Sequence, residues 1–374
     1  MIYKLNTKSR NYGFGTQIRR SPFFQSTIDW GAKDFSIYNH MYIPRDFGNP
    51  EENFWNLVNE AILCDVSVER QVEIKGPDAK KFVQYLTPRD IANCEVGQCK
   101  YILITDDKGG ILNDPVLLKV GPDRYWLSIA DSDIELWASA IAAERGLDVQ
   151  VFEPDVSPLA IQGPKAEAVV AALFGDWVRS LKHFGFKQTE LQGIQLILAR
   201  SGWSKQGGYE VYVENRKAGQ MLYDELFSVG KEFSVEPGCP NLIERIESAL
   251  LSAGNDFDSG DNPYECGFDK YIDIESDINY LGKKALIEIS KSGINKKLMG
   301  VLIDLDKIEV TESIPLYNNN KTVGDLRSAT YSPNLKKIVG IAMVKKEYWD
   351  KKTPIELKIG DKKSKGTLCD LPIV

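Results

Sequence analysis

The sequence predicts an α+β protein with a separate β-rich domain at its C-terminal end. Three observations carry this. A strand, then Gly-Pro-x-Ala, then a helix occurs twice, at Gly76-Pro77-Asp78-Ala79 and Gly163-Pro164-Lys165-Ala166. That repeat suggests two related α+β units and not a solenoid array. Residues from about 296 to 374 are mostly strand-like, with Asn318-Asn319-Asn320-Lys321 as a turn. The length, 374 residues, suits two or three domains.

The elements follow in order. Residues 1–50 are rich in aromatics, Gly and Pro with little periodicity, so they read as loop-like chain of the kind that lines sites. Helical spacing through Phe54, Leu57, Val58 and Ile62 predicts a helix over 53–63. Gln71 to Ile74 alternates as a strand. Asp78 to Leu86 is a helix with Pro77 at a tolerated early position. Lys100 to Val116 places two β-rich runs around Asp107-Lys108-Gly109-Gly110 and reads as a hairpin. A strand at Tyr125–Ile129 precedes a helix at Asp133–Arg145, with Ile134, Trp137 and Ile141 on one face and Gly146 as its stop. A strand at Val149–Phe152 leads toward the second Gly-Pro opening and a helix ending at Phe174.

Composition narrows the function. A net charge of −7 argues against nucleic acid and anionic membranes as partners. No apolar run approaches the ~20 residues of a membrane span. The N-terminal Met-Ile-Tyr-Lys-Leu lacks the apolar core of a signal peptide, so a cytoplasmic location is expected. The six cysteines contain no Cys-x-x-Cys pair and read as reduced thiols. His40 and His183 are the only histidines, which disfavours a histidine-built metal site; no metal is expected. Neither sits in a motif supporting a Ser-His-Asp arrangement, and no phosphate loop or dinucleotide fingerprint is present. What remains is an enzyme that borrows its reactivity from a cofactor, or a protein without chemistry.

Two carboxylates stand out. Asp114 follows Gly109-Gly110-Ile111-Leu112-Asn113 and precedes Pro115. A carboxylate among apolar strand residues needs a partner, and one aimed into a cleft accepts hydrogen bonds from a flat, NH-rich ligand. Taken alone, Asp114 reads equally as a solvent-facing residue at a strand end. Glu210, in Gly208-Tyr209-Glu210-Val211-Tyr212-Val213, lies on an alternating strand and by itself also reads as an outward polar residue.

Six stretches in one order shift the balance toward ligand-facing carboxylates: Cys64 to Ala79, Gly109 to Asp114, Ser201 to Val213, Gly254-Asn255-Asp256, Leu281 to Leu286, and Ser328 to Lys337. Together they resemble the folate-dependent aminomethyltransferase family, whose best-known member is the T-protein of the glycine cleavage system. The resemblance covers roughly residues 60–374. It implies three domains around a central folate site: 1–64 with 156–245, 65–155 with 246–290, and a β-barrel-like 291–374. It implies Asp114, second of an Asp-Asp pair whose first member is Asn113 here, and Glu210 as pterin ligands, with Asp114 also catalytic. A carboxylate accepts adjacent ring and amino NH groups of a pterin at once. Tyr101 matches a folate-contacting tyrosine, and Trp203 replaces another.

The departures are specific. Val68-Glu69-Arg70-Gln71 stands for the usual His-Met-Gly-Glu, Asn241 for an arginine, and Ala130 lies near a family asparagine. With Arg20-Ser21-Pro22-Phe23-Phe24, they are most similar to members of the family that take a methyl group from a sulfonium, dimethylsulfoniopropionate. The resemblance thus implies tetrahydrofolate as methyl acceptor and dimethylsulfoniopropionate as donor. A sulfonium favours aromatic faces, and Trp203, Tyr212, Trp177, Phe23 and Phe24 are the candidates. Arg19, Arg20 and Lys205 are available for its carboxylate, though each also reads as a solvated surface charge. A homodimer is the assembly expected. Competing expectations are a glycine-cleavage aminomethyltransferase served by a lipoylated carrier protein, and a folate-binding module without turnover. Relatives of the last kind carry a loop cysteine that Tyr280 to Lys284 lacks, while Cys266 reads as a small buried apolar residue.

Overall fold

The computed structural model describes residues 15–360 and 362–374. The first 14 residues, part of the stretch expected to be loop-like, lie outside them. The chain divides into two units. One collects the chain up to Phe82 with Asn93–Tyr101 and Pro115–Asn241; the other holds Val83–Ala92, Ile102–Asp114 and Leu242–Val374.

The first unit contains two large sheets. The six-stranded sheet runs in the order Phe186–Leu191, Ile194–Ala199, Gly208–Val213, Ser157–Gln162, Ala61–Asp65, Val235–Gly238. The five-stranded sheet runs Gln150–Phe152, Gln71–Lys75, Arg124–Ser128, Val116–Gly121, Cys99–Tyr101. One face of the six-stranded sheet buries Leu63, Leu159, Ile161, Val211 and Val213 against the helices Ala166–Phe174 and Gly219–Gly230. Its other face meets the five-stranded sheet. There Ile197, Ala199, Phe186 and Tyr212 pack on Cys99, Leu118, Val120 and Trp126, with the Trp126 and Tyr212 rings 6.2 Å apart. Two layers of opposite apolar content on one sheet follow from strand alternation.

The repeated Gly-Pro-x-Ala has one geometric cause. Gly76 has φ +139° and Gly163 φ +125°. A Cβ on Gly76 would meet the Asp148 carbonyl at 2.5 Å, and one on Gly163 the Glu60 carbonyl at 2.5 Å. In both copies the strand-to-helix turn presses on a neighbouring backbone, and the following alanine, Ala79 or Ala166, is fully buried.

The second unit carries a closed barrel, ordered Lys296–Ile303, Lys337–Lys345, Lys321–Ser332, Ile314–Asn318, Pro354–Ile359, Lys362–Cys369. Asn319 and Asn320 both have positive φ, so the predicted Asn-rich turn is a two-residue hairpin connection. Several of the sequence stretches serve this unit structurally. Asp256 of Gly254-Asn255-Asp256 is wholly buried, accepts from Arg245 Nη1 at 2.7 Å and from the Ser252 amide at 2.8 Å, and binds Ser328. Ser332 donates to Glu247. Gly282 approaches the Asp106 carbonyl so closely that a Cβ would sit 2.3 Å from it.

Three local expectations are corrected. The helix expected over 53–63 is Pro50–Asn59, and Ile62 belongs to the strand Ala61–Asp65. All five residues of that strand are buried, so it shows no alternation to betray it. Lys100–Val116 is not one hairpin. Cys99–Tyr101 pairs with Val116–Gly121, and only Ile104–Thr105 and Ile111–Asn113 pair across the Gly-Gly turn. Residues 15–50, expected as loop, contain the helix Phe24–Asp29 and a hairpin, Asp34–Tyr38 with Met41–Asp46, closed by Asn39 and His40 at positive φ.

Candidate functional site

Glu210 sits mid-strand in the six-stranded sheet. Register aligns Cys64, Ala160, Glu210, Ala199 and Phe186 in one row across five strands. Alternation therefore points Glu210 and Tyr212 toward the five-stranded sheet, and Tyr209, Val211 and Val213 toward the helices. Both strand neighbours of Glu210 are alanines, which add little bulk and no donor beside the carboxylate.

Three carboxylates are buried in this unit among the described residues, and their partners differ. Asp65 has both oxygens engaged, Oδ2 by Ser21 and Oδ1 by the Ser67 amide at 3.1 Å. Glu73 takes the Arg124 guanidinium on both oxygens, at 2.9 and 2.8 Å, and the Trp126 indole N–H at 2.7 Å. Glu210 takes Ser201 Oγ and Tyr212 OH (3.1 Å), both on Oε2. Its Oε1 has no partner among the described residues. The residue is 5 % exposed, so a largely buried carboxylate keeps one oxygen free of protein partners. Burial raises the Glu210 carboxyl above its ordinary range, opposed by the Ser201 and Tyr212 hydrogen bonds. Burial likewise drives the Cys99 thiol and the Tyr212 phenol well up, so both stay neutral near the carboxylate.

The loop before the Glu210 strand is fixed from beneath. Gln162 Nε2 donates to the Ser201 carbonyl at 3.1 Å and the Tyr209 carbonyl at 3.4 Å, while Gln162 Oε1 accepts from Ser204 Oγ at 2.8 Å. Gly202 and Gly208 have φ of +146° and +151°, and a Cβ on either would overlap the Gln162 amide. Trp203 rides half-buried on this loop, and its ring makes no hydrogen bond or ring contact among the described residues.

The other expected residues divide. Tyr101 shares a face with Cys99 on the strand that packs toward Tyr212, so it points into the same interlayer space as Glu210. Tyr212, expected against the donor, is fully buried with its hydroxyl on Glu210. Phe23 and Trp177 pack in the core on the helix side of the sheet, away from Glu210, with the Trp177 indole bound to the Phe174 carbonyl at 2.7 Å. Phe24 packs with Tyr42 and Phe35. Arg19 is paired with Glu153 at 2.7 Å, and Arg20 lies over the Phe24 ring at 5.0 Å. Asp114 belongs to the second unit, where it follows the strand Ile111–Asn113 half-buried, next to a fully buried Asn113. Ser201 and Gln162 were not anticipated. The i, i+2 spacing of Glu210 and Tyr212 was the available signal that the phenol serves the carboxylate.

Fold and site define a class: an α+β enzyme with a C-terminal barrel and a largely buried carboxylate, Glu210, that keeps one oxygen free of protein partners. The family models agree. The GCVT N-terminal domain matches residues 23–276, and the glycine cleavage T-protein C-terminal barrel domain matches 296–374. The chain belongs to the glycine cleavage T-protein family of folate-dependent transferases. It is 41 % identical over 345 residues to the dimethylsulfoniopropionate demethylase DmdA of Ruegeria pomeroyi, covering 92 % of this chain and 94 % of that one. It is 28 % identical over 361 residues to an aminomethyltransferase of Bacillus mycoides, covering 95 % and 98 %. The fold superposes on the glycine cleavage aminomethyltransferase of Bartonella henselae with a TM-score of 0.84 at 22 % identity, covering 96 % and 98 %.

Proposed function

We propose that this enzyme transfers a methyl group from dimethylsulfoniopropionate to N5 of tetrahydrofolate, giving 3-(methylthio)propanoate and 5-methyltetrahydrofolate. The observation that carries the reading is the open Oε1 of Glu210, read beside the 41 % identity to a protein named for demethylating this sulfonium. Reduced pterins present paired NH groups, and a carboxylate with one free oxygen and no competing cation suits them. Bound tetrahydrofolate supplies the nucleophilic nitrogen; as the N5–methyl bond forms, the C–S electrons return to sulfur, a neutral thioether departs with no need of a leaving-group acid, and the N5 proton is released to solvent.

The protein's own contribution is binding and alignment. Glu210 and Tyr101 are the pterin ligands this reading assigns, and Asp114 keeps the role the family resemblance implies for it, folate ligand and catalytic carboxylate. Trp203, with no ring partner of its own, offers its face to the sulfonium. The aminomethyltransferase alternative is weakened by the departures at Val68–Gln71, Ala130 and Asn241. At two of these, the Val68 and Ala130 carbonyls are bound by the Asn39 side chain at 2.9 and 3.2 Å. The reading further places the enzyme in the cytoplasm as a homodimer of three domains, with each of the two sheets marking one α+β domain; among the described residues no helix is long and apolar enough to cross a membrane.

Purified protein incubated anaerobically with both compounds should release 5-methyltetrahydrofolate in equal amount to 3-(methylthio)propanoate. Turnover of the sulfonium without folate methylation sinks the reading.

A further inference from the structure

Ser201 and Tyr212 both spend their hydrogen on one oxygen of Glu210. They reach it from different directions, Ser201 from the end of the preceding strand and Tyr212 from two residues along the same face. Both are sealed in, at 4 % and 0 % exposure. Two donors on Oε2 fix the carboxylate plane and leave Oε1 as the acceptor on offer. Ser201 is itself held, because Gln162 binds its carbonyl and Gly202 and Gly208 make room for that amide.

We infer that Ser201 and Tyr212 are positioning residues that clamp Glu210 Oε2 so that Oε1 alone receives the pterin, with Gln162 setting Ser201. This rests on the folate reading above. It assigns Tyr212 to the pterin anchor and not to the sulfonium.

A geometric clamp has an electrostatic consequence. Both donors favour the charged carboxylate that burial disfavours. The groups facing Glu210 are few. Tyr212 comes from its own strand and Cys99 from the five-stranded sheet, both driven up and neutral at ordinary pH. Glu69, before the Gln71–Lys75 strand, acts on Tyr212, while Glu73 on that strand is neutralised by Arg124. Glu210 is the carboxylate whose charge both donors support. Removing either donor raises it further, so pterin binding should fade at a higher pH.

The test is calorimetric titration of 5-methyltetrahydrofolate from pH 5.5 to 8.5 into wild type, Ser201→Ala, Ser201→Thr, Tyr212→Phe and Glu210→Gln, each checked by circular dichroism and melting. Losing one hydrogen bond to a charged acceptor is expected to weaken binding about tenfold to a hundredfold. Ser201→Ala and Tyr212→Phe should show that loss and lose affinity at a higher pH than wild type does. Ser201→Thr, which keeps the hydroxyl, should restore both. Glu210→Gln should bind weakly at every pH. Folded Ser201→Ala and Tyr212→Phe proteins that bind as wild type with its pH profile overturn the clamp, and so does a Thr variant as weak as the Ala variant. Wild type that ignores the compound, or Glu210→Gln that binds it as tightly, overturns the folate reading itself.

Discussion

Replacing Glu210 by glutamine should separate stability from binding. The amide has the carboxylate's shape, and its orientation is dictated. Ser201 Oγ and Tyr212 OH both donate to Oε2, so the amide oxygen takes that place and the NH2 group turns to where Oε1 stood. A donor then faces the NH groups of the pterin. The loss comprises one charge-assisted hydrogen bond, about 1.5–3 kcal/mol, or roughly ten- to a hundredfold in Kd for 5-methyltetrahydrofolate. Folding responds oppositely. Burial raises Glu210 in the folded state above its ordinary range. The folded protein therefore holds a proton that the unfolded chain has released, and wild-type stability falls as pH rises from the ordinary glutamate range through the raised value. Glutamine carries no such cost. Glu210→Gln should thus melt at least as high as wild type at pH 8, with the difference shrinking toward pH 4.5. Calorimetric melting across that range and titration at pH 7.5 make the assay. A variant that binds like wild type, or one whose disadvantage in melting grows with pH, refutes the reasoning.

Other expectations follow from the same structure. Trp203→Ala should chiefly impair use of the sulfonium, raising its KM by an amount matching ~0.5–2 kcal/mol of cation–aromatic contact in steady-state kinetics and exceeding any loss of 5-methyltetrahydrofolate affinity; a loss confined to folate would contradict the assignment. Asp114→Ala should weaken folate binding, and titration at wild-type strength would remove it as an anchor. Gly163→Ala should lower the melting temperature, since its φ of +125° and a Cβ 2.5 Å from the Glu60 carbonyl add at least ~1–3 kcal/mol of strain; an unshifted transition would contradict the close approach. Arg245→Ala strands the buried Asp256 and should cost about 3–5 kcal/mol in urea denaturation. A change under ~1 kcal/mol would show that Asp256 finds another partner.

Local chemistry was legible wherever one residue's geometry decides the matter. Gly76 and Gly163 announce a turn that only glycine tolerates, and the helices after them are found within a residue of their expected starts. Asn319 and Asn320 announce a tight hairpin in the β-rich C-terminal region, which closes into a barrel. Ala61–Asp65 was not legible, because a strand covered on both faces has the same apolar run as a buried helix. Phe23 and Trp177 carried an aromatic signal that fits a donor pocket or a core equally well, and packing put them in the core.

The amino-acid sequence carried the family and the α+β character, and it named Glu210 as a pterin ligand only through the family resemblance, since on its alternating strand the residue also reads as outward and polar. What that carboxylate has to spare is set by the contacts of the folded chain. Asp65, Glu73 and Glu210 look alike in one dimension. Their difference is which donors reach each oxygen, and Oε1 of Glu210 is left open because Ser201 and Tyr212 converge on the same oxygen. Strand spacing along the chain sets which face a side chain occupies, and so puts Tyr212 beside Glu210, whereas which oxygen each donor reaches depends on how the Ser201 loop folds back over the strand.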